Sequence, residues 1–450
     1  MGTEKIVQYI VETSFDKVPG EATAAAKRGI LDCLGVALVG CDDPGSKIVT
    51  EYVKEEGSKS EAGVIAGGFK TVTSQAAWVN GTLAHALDYD DYCVSFVGHP
   101  SVAILPAVVA LGEKHHLSGK DCLLAYILGF EVGAKLGPQC MQHYFSGWHT
   151  TSTIGTIGAA AASARLLKLN AEQTTMALGI AASLASGLKH NFGTNTKPLH
   201  AGNAARNGVI AAELALRGFT AAFDAIEGAQ GYIKVLGATP DPDRVGDGLG
   251  ERYDLIAPGL SIKPYPSCAG THSSIGSALA LKAEHGIKPE EVVEIECRTS
   301  TIIPTAAIHN EPKTGVEGKF STQYCVARAL MNADVGLGHF TDEQVMQPVA
   351  QELIRKIRYA HPPEMQAGLG SEIWIKLSDG REVTHRTDSP KGESQNPMTL
   401  EDVSTKYKDC AGRVLSEENI EKSLDMIANF ETIADIAPLM EILTSSPQAG

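Results

Sequence analysis

Carboxylates are nearly absent from one stretch of this chain, and that absence constrains the fold more than any other feature. Between Val132 and Ala212 there is one carboxylate, Glu172, against six lysines and arginines, in a chain whose formal net charge is −15. Ionised side chains are seldom buried without a partner, so an alanine-rich stretch of this kind is typical of a buried helical core. A core does not explain why Lys189, Lys197 and four histidines lie there in segments rich in glycine and asparagine. An anionic substrate that partners these groups is the second interpretation, and both stay open at this point.

Apolar residues recur with helical spacing through the first 260 residues, which predicts a mostly helical domain. The predicted helices are Ala22–Val39, Ser101–His115, Lys120–Leu136, Thr153–Leu169 and Asn203–Arg217. Gly218, directly after the last of them, is typical of a residue that ends a helix. Gly155 and Gly158 lie in the fourth helix and predict a close contact with a neighbouring helix.

The pattern changes near residue 261, where alternating apolar and polar residues begin to appear. The segment 291–299 alternates with period two, and 373–377 and 381–387 flank a Ser-Asp-Gly turn that is typical of a hairpin. Helical patterns lie between these strands at 272–285 and 321–332. We therefore predict a mainly α protein. A large all-helical domain is formed by residues 1–261 and 393–450 and is discontinuous, and a smaller α+β domain is formed by residues 262–392.

Charge and hydropathy exclude several classes of partner. A sequence pI near 5.4 argues against a nucleic-acid binder, which normally needs a basic surface. No apolar run approaches the roughly 18 residues that a membrane span requires, and the first residues lack the pattern of a signal peptide. We therefore expect no membrane partner and a cytoplasmic location. The nine cysteines form no CxxC pair, which predicts reduced thiols.

The common motifs of cofactor and metal enzymes are missing from the sequence. It contains no Walker A sequence, no HExxH, no GxSxG and no GxGxxG placed between a strand and a helix. Polar residues concentrate instead in four segments that mix glycine or proline with histidine, lysine or aspartate, and we predict loops there. The four segments are 80–106, 147–158, 194–203 and 263–272. Acid–base catalysis without a cofactor is compatible with this pattern.

In this order and at these spacings, the four segments resemble the MmgE/PrpD family. The resemblance covers nearly the whole chain and includes the C-terminal segment Ser389–Gly412. Members of that family include 2-methylcitrate dehydratase, cis-aconitate decarboxylase and iminodisuccinate epimerase. The resemblance implies a large helical domain, a smaller α+β domain, a homodimer, and no required cofactor or metal.

The resemblance also implies four catalytic residues. His99 in GHPS, His149 in GWHTT and Asp88 in LDYDD match active-site positions of the family, and Tyr324 in STQYCVARA lies where a family tyrosine approaches the site. Other interpretations stay open: His99 as the cap of the following helix, His149 as an ordinary first residue of a helix, and Tyr324 as a core tyrosine. Asp90 and Asp91 are interpreted as capping or ion-pairing residues.

Four further residues are implied to bind substrate. Lys197 in TKPLHAGN and Lys263 in KPYPSCAGTH match family lysines that anchor carboxylates. His200 could belong to the site or fix its loop by hydrogen bonding, and His272 could belong to the site or begin a core helix. Tyr92 and Cys268 depart from the family pattern, which commonly has threonine at the first position and, in decarboxylases, histidine at the second.

These residues predict a cofactor-independent lyase of a small di- or tricarboxylate, with 2-methylcitrate dehydration first. The alternatives are an epimerase of an iminodisuccinate-like substrate and a cis-aconitate decarboxylase. A metal-dependent lyase and a non-catalytic helical dimer are the competing classes. The sequence leaves open the substrate itself and which histidine acts as acid and which as base.

Overall fold

The structure is a computed structural model that describes residues 2–237, 241, 244–365 and 368–446. The chain divides into two compact units. The larger unit contains residues 1–262 and 399–450, and the smaller unit contains residues 263–398.

The larger unit is built from helices and one small two-stranded sheet. Its helices up to residue 262 are α1 (Gly2–Glu12), α2 (Gly20–Gly40), α3 (Pro44–Glu56), α4 (Thr73–His85), α5 (Pro100–Lys114), α6 (Gly119–Phe145), α7 (Thr150–Leu166), α8 (Ala171–Leu184), α9 (Thr196–Leu216) and the short α10 (Tyr232–Val235). The antiparallel sheet pairs β1 (Ala62–Gly63) with β2 (Lys70–Thr71). Local caps fix several of the starts: the Ser118 side chain accepts from Asp121 N before α6, and Asn170 and Gln173 form a capping box before α8.

Within its described residues, the smaller unit combines six α-helices with a four-stranded sheet. Its elements are α11 (His272–His285), β3 (Val292–Thr299), α12 (Ile303–Ala306), α13 (Gly315–Lys319), α14 (Thr322–Asn332), α15 (Asp342–Val345), α16 (Pro348–Arg355), β4 (Ile357–Ala360), β5 (Ser371–Leu377) and β6 (Glu382–Thr387). The strand order is β4-β3-β5-β6, in which only the β3–β4 pair is parallel. Apolar residues of α11, α14, α16 and of β3–β5 form one buried core. The predicted strand and hairpin are confirmed, and Gly380 in the turn has the positive φ, +88°, that the hairpin requires.

The chain then returns to the larger unit in three helices, α17 (Leu400–Ala411), α18 (Glu417–Ala428) and α19 (Ala437–Thr444). The Lys406 ammonium of α17 lies 2.6 Å from the Asp32 carboxylate of α2, and both side chains are buried. The same ammonium donates to the main-chain carbonyl of Tyr89 at 2.6 Å. The last helices therefore support the segment that follows α4. The predicted class, a mostly α protein with a smaller α+β part, is confirmed.

Small residues let the helices of the larger unit approach closely, as predicted for Gly155 and Gly158. A Cβ atom at Gly155 would lie 2.5 Å from the Cβ of Ala103 in α5, and one at Gly158 would lie 2.8 Å from the Gly129 carbonyl of α6. Nearly every residue of α7 is buried, from Thr150 to Ala164. Helix α7, in the middle of the carboxylate-poor stretch, is thus a packed centre of this unit.

Helix α9 begins earlier than predicted. The segment 194–203 was expected to be a loop that precedes a helix at 203, but α9 starts at Thr196. Pro198 is compatible with this start, because the first N–H groups of a helix have no acceptor within it. Lys197 and His200 therefore lie in the first turns of a helix.

Two further expectations concern the chain as a whole. Within the described residues, no helix combines the length and the apolar character that crossing a membrane requires. All nine cysteines are free thiols, as predicted.

Candidate active site

The segment between α4 and α5 is shaped by main-chain contacts. Asp88 has a positive φ of +52°, so the chain turns sharply three residues after α4 ends. Tyr92 pairs with Ser261, and Cys93 pairs with Gly98, in isolated antiparallel bridges. These contacts close the loop and bring His99 back beside the aspartates. His99 is the N-cap residue of α5, but its imidazole makes no capping hydrogen bond. The capping interpretation is therefore right about the position of His99, but its side chain does not cap the helix.

The Asp90 carboxylate lies between two imidazoles. It accepts from Nδ1 of His85 at 2.9 and 3.0 Å and from Nδ1 of His99 at 3.0 Å. His99 Nδ1 also donates to the Asp91 carbonyl at 2.8 Å. Burial alone raises the pKa of Asp90, but the two imidazoles outweigh it and hold that pKa well below its usual range. Asp90 is therefore an ionised carboxylate that only accepts hydrogen bonds.

Asp91 supports the next helix instead. Its carboxylate accepts from the main-chain N–H of Ser101 at 3.3 Å and from the Ser101 hydroxyl. Burial and then the nearby Asp32 raise the pKa of Asp91 well above its usual range. Asp91 thus acts as a capping residue in the first turn of α5.

Lys197 and Asp88 form a buried ion pair at the start of α9. The ammonium contacts Asp88 Oδ1, and both side chains are about 6% exposed. The same ammonium lies 5.4 Å from the centre of the Phe192 ring. Because both charges are removed from water, loss of either one takes away a buried opposite charge that contacts the other.

Two more histidines complete the cluster. His149 precedes α7 and makes no side-chain capping bond, and its Nδ1 lies 3.0 Å from Nδ1 of His200. The His85 ring lies between the others, with ring centres 4.6 Å from His99 and 5.8 Å from His149. Four imidazoles from α4, α9 and the starts of α5 and α7 therefore form one connected group.

Three imidazoles of this group, those of His85, His149 and His200, have a lowered pKa and are held in their neutral form. Burial lowers the pKa of His85 to about 3, against the opposing effect of Asp90. Burial and then the charge of Lys197 lower the pKa of His200 to about 4 and that of His149 well below its usual range. A neutral imidazole can accept a proton, so these side chains are potential proton acceptors next to a buried cation.

The remaining predicted site residues lie in the smaller unit. Lys263 is buried, and His272 begins α11 and donates from Nε2 to the Ser267 carbonyl at 3.2 Å. Tyr324 is buried in the core of that unit, where its hydroxyl donates to the His339 carbonyl and accepts from Arg328 Nε at 2.9 Å. These contacts fix Tyr324 within its own unit, and the predicted roles of all three residues stay predictions.

Sequence reasoning missed His85 and the bridging role of Asp90. His85 lies in the segment 80–106 that was singled out, and it precedes Asp90 by five residues. His85 is the last residue of α4, and the sequence pattern there does not distinguish a site histidine from a core histidine. Only the turn at Asp88 brings the two side chains together.

The basic excess between residues 132 and 212 has several partners within the protein. Lys135 pairs with Asp254, and Arg165 donates to the carbonyls of Ile10 and Val11 at 3.1 and 2.9 Å. Lys135 and Arg165 therefore have partners within the protein, and the interpretation that an anionic substrate is their partner does not apply to them.

One group of side chains has an arrangement that could hold a metal ion. His85, Asp88, Asp90 and His99 each place one ligand atom within 4.8 Å of the others. However, Asp90 accepts from both imidazoles at hydrogen-bond distances, and the Lys197 ammonium already contacts Asp88. A metal would have to displace that ammonium and both Nδ1 protons, so the contacts favour a hydrogen-bonded network.

Two family sequence models match this chain. The MmgE/PrpD N-terminal domain matches residues 4–245, and the MmgE/PrpD C-terminal domain matches residues 265–432. The chain therefore belongs to the MmgE/PrpD family, as its motifs predicted.

Named relatives cover nearly the whole chain. It is 30% identical to cis-aconitate decarboxylase of Mus musculus over 439 residues, which is 93% of this chain and 88% of the relative. It is 29% identical to the Homo sapiens enzyme of the same name, over 93% of this chain and 89% of the relative. It is 28% identical to that of Aspergillus terreus, over 98% of this chain and 95% of the relative. Decarboxylases cleave a carbon–carbon bond without hydrolysis, and the predicted enzyme class of lyase is confirmed.

Proposed function

We infer that this chain is a cofactor-independent lyase that acts on a small tricarboxylate by acid–base catalysis. One observation carries the proposal: neutral, buried imidazoles lie in a connected group that includes the buried Lys197 ammonium. Such a group offers proton acceptors next to a fixed positive charge. Lyase reactions on polycarboxylates need both, because negative charge develops on a carbon beside a carboxylate.

Lys197 is the proposed carboxylate anchor. An ammonium has three N–H donors and no acceptor, so it can contact Asp88 and a substrate carboxylate together. Its position in the first turn of α9 also places it where the helix dipole favours an anion. Asp88 holds the ammonium in place until the substrate arrives.

His99 and His149 are the proposed acid and base. In a decarboxylation, the carbon–carbon bond breaks, carbon dioxide leaves, and a protonated histidine delivers the proton that quenches the remaining electron pair. In a dehydration, a neutral histidine takes the proton from carbon, and an acid protonates the departing hydroxyl. Because burial and Lys197 hold the pKa of His149 well below its usual range, His149 is the proposed proton acceptor and His99 is the proposed donor.

We propose cis-aconitate as the first substrate to test, because the named relatives are cis-aconitate decarboxylases. Dehydration of 2-methylcitrate is the second candidate, because Cys268 departs from the histidine that the resemblance implies for decarboxylases. Epimerisation of an iminodisuccinate-like compound, with His99 and His149 as opposed bases, is the third.

The purified protein should be incubated in D₂O with cis-aconitate, citrate, 2-methylcitrate and iminodisuccinate, and followed by proton NMR. Decarboxylation yields carbon dioxide and a five-carbon dicarboxylate, dehydration yields an alkene, and epimerisation exchanges deuterium into the substrate. A His149→Gln variant is the control, and we expect it to be at least 100-fold slower. Absence of turnover with all four compounds contradicts the proposal. Loss of activity on dialysis against a chelator, restored by a divalent metal, contradicts the cofactor-independent mechanism.

The roles of Lys263 and His272 as substrate-binding residues and of Tyr324 as a catalytic residue are also proposed. A Lys263→Met variant tests the first, and we expect a raised KM with an unchanged fold. The proposed homodimer is tested by light scattering coupled to size-exclusion chromatography, and the cytoplasmic location by fractionation of cells that express the chain.

A further inference from the structure

Asp90 is shared by His85 and His99, and this sharing determines where each ring carries its proton. An ionised carboxylate accepts hydrogen bonds and donates none. Each imidazole meets it through Nδ1, at 2.9 to 3.0 Å. Both rings must therefore carry hydrogen on Nδ1, and in the neutral form each has its lone pair on Nε2.

The two rings differ in their access to solvent. The His85 side chain is 0% exposed, whereas that of His99 is 15% exposed. Within the described residues, His85 Nε2 is buried without a hydrogen-bond partner. Solvent therefore reaches part of the His99 side chain, while His85 is enclosed next to Asp90. The position of His85 is therefore that of a residue that acts through Asp90 and does not contact the substrate.

We propose that Asp90 is a positioning residue that, clamped by His85 and acting together with the Asp91 carbonyl, holds His99 as the Nδ1–H tautomer, so that His99 exchanges protons with the substrate through Nε2. The catalytic part of this inference rests on the proposed function, but the tautomer assignment does not. Asp90 and His85 are not required to touch substrate in this scheme. Each sets the geometry and the proton position of the ring in front of it.

The tautomer is measured without substrate. Protein labelled with [¹⁵N]histidine gives two-bond proton–nitrogen spectra in which Nδ1–H and Nε2–H imidazoles have different patterns. We expect His85 and His99 of the native protein to be Nδ1–H tautomers near pH 7. In Asp90→Asn, His99 keeps the Asp91 carbonyl as an acceptor and should stay in the Nδ1–H form. The amide nitrogen can then donate to Nδ1 of His85, so His85 should change to the Nε2–H form. Native spectra with His99 as the Nε2–H tautomer overturn the proposal.

Kinetics separate a positioning role of His85 from a catalytic one. An asparagine side chain places an N–H near the position of Nδ1, whereas glutamine places its amide near Nε2. If His85 acts through Asp90, His85→Asn should keep at least tenfold more kcat than His85→Gln. The opposite order assigns catalysis to His85 Nε2 and overturns the proposal. Asp90→Asn should lose at least 100-fold in kcat with little change in KM.

His143→Gln is the matched control, because His143 is a buried histidine of α6 that bonds the Ile233 carbonyl through Nε2 at 3.1 Å, away from Asp90. Its kcat should stay within threefold of the native value. If Asp90→Asn does not fold, the kcat values of His85→Asn and His85→Gln still show whether His85 acts through Asp90. If the native protein turns over no polycarboxylate, the proposed function fails, while the tautomer measurement still supports or overturns the positioning role.

Discussion

At the scale of single residues, the buried ion pair of Lys197 and Asp88 matters for both stability and the proposed binding of substrate. Both side chains of the pair are buried, so its members depend on each other for stability. In the proposed mechanism the lysine also binds the substrate. Breaking such a pair from one side leaves an uncompensated charge, which destabilises a protein by about 3–5 kcal/mol. Stability and binding can nonetheless be separated by experiment.

Lys197→Met should raise the KM for the tricarboxylate about 10- to 150-fold, because a hydrogen bond to a charged group contributes about 1.5–3 kcal/mol. It should also lower the free energy of unfolding, measured by urea titration. The double variant Asp88→Asn/Lys197→Met removes the orphaned charge and should recover stability while KM stays high. Lys168→Met, an exposed lysine of the same stretch, is the control. Parallel recovery of stability and KM would show that Lys197 does not bind substrate.

The His200 imidazole gives a prediction about pH. Burial and Lys197 lower its pKa to about 4 in the folded protein, below the usual value of about 6.5 for the unfolded chain. Between these values the unfolded state binds more protons, so this histidine makes stability fall as pH is lowered from about 6.5 toward 4. In His200→Gln, the slope of the unfolding free energy against pH should be smaller by up to about 1.4 kcal/mol per pH unit. Equal slopes for both proteins, in urea titrations at pH 7, 6 and 5, would contradict the assignment.

At the scale of elements, close helix contacts determine where the site residues lie. Gly137 of α6 lies against the loop that leads to His99, and a Cβ atom there would lie 1.7 Å from the carbonyl oxygen of Ser95. A main-chain atom cannot yield as a flexible side chain can, so the loop itself would have to move. The packing of α6 is therefore coupled to the position of the loop that leads to His99.

Gly137→Ala should lower the free energy of unfolding by about 2–3 kcal/mol, because overpacking outweighs the better helix propensity of alanine. It should also reduce kcat, since the loop carries His99. Gly20→Ala is the matched control: Gly20 is the first residue of α2 and no neighbouring atom lies within 4 Å of a Cβ there. Its stability should be unchanged or slightly higher. Equal effects of the two substitutions, measured by thermal unfolding, would contradict a steric coupling.

The elements were largely predictable from the sequence, and the contacts within the site were not. Helical periodicity predicted α2, α5, α6 and α7, and the Ser-Asp-Gly turn predicted the β5–β6 hairpin, because these patterns are local. The early start of α9 was missed, because proline and glycine near residue 200 are typical of loops as well as of a first helical turn. The bridge at Asp90 was missed for another reason: it depends on the positive φ of Asp88 and on a return of the chain at Gly98, and periodicity reports neither.

At the scale of the whole molecule, the chain returns at residue 399 to complete the unit in which it began. The Lys406–Asp32 pair is the buried charge contact of that return, and the same ammonium bonds the Tyr89 carbonyl. One side chain thus joins α17, α2 and the segment that carries Asp88 and Asp90.

Lys406→Met should lower the free energy of unfolding by about 3–5 kcal/mol, because Asp32 keeps a buried charge without its partner. The double variant Asp32→Asn/Lys406→Met should recover most of that stability. It should recover less of the activity, because the Tyr89 carbonyl still lacks its donor. Unfolding in urea and kcat are the two measurements. Full recovery of both would show that the contact with Tyr89 does not support the site.

The loop between α4 and α5 is fastened by partners made much later in synthesis. Its main chain pairs with Ser261, and the Lys406 that bonds Tyr89 follows it by 317 residues. A nascent chain on the ribosome therefore carries all four histidines of the cluster long before it carries the lysine that secures their loop. The histidine cluster can therefore be secured only near the end of translation, after the smaller unit has left the ribosome.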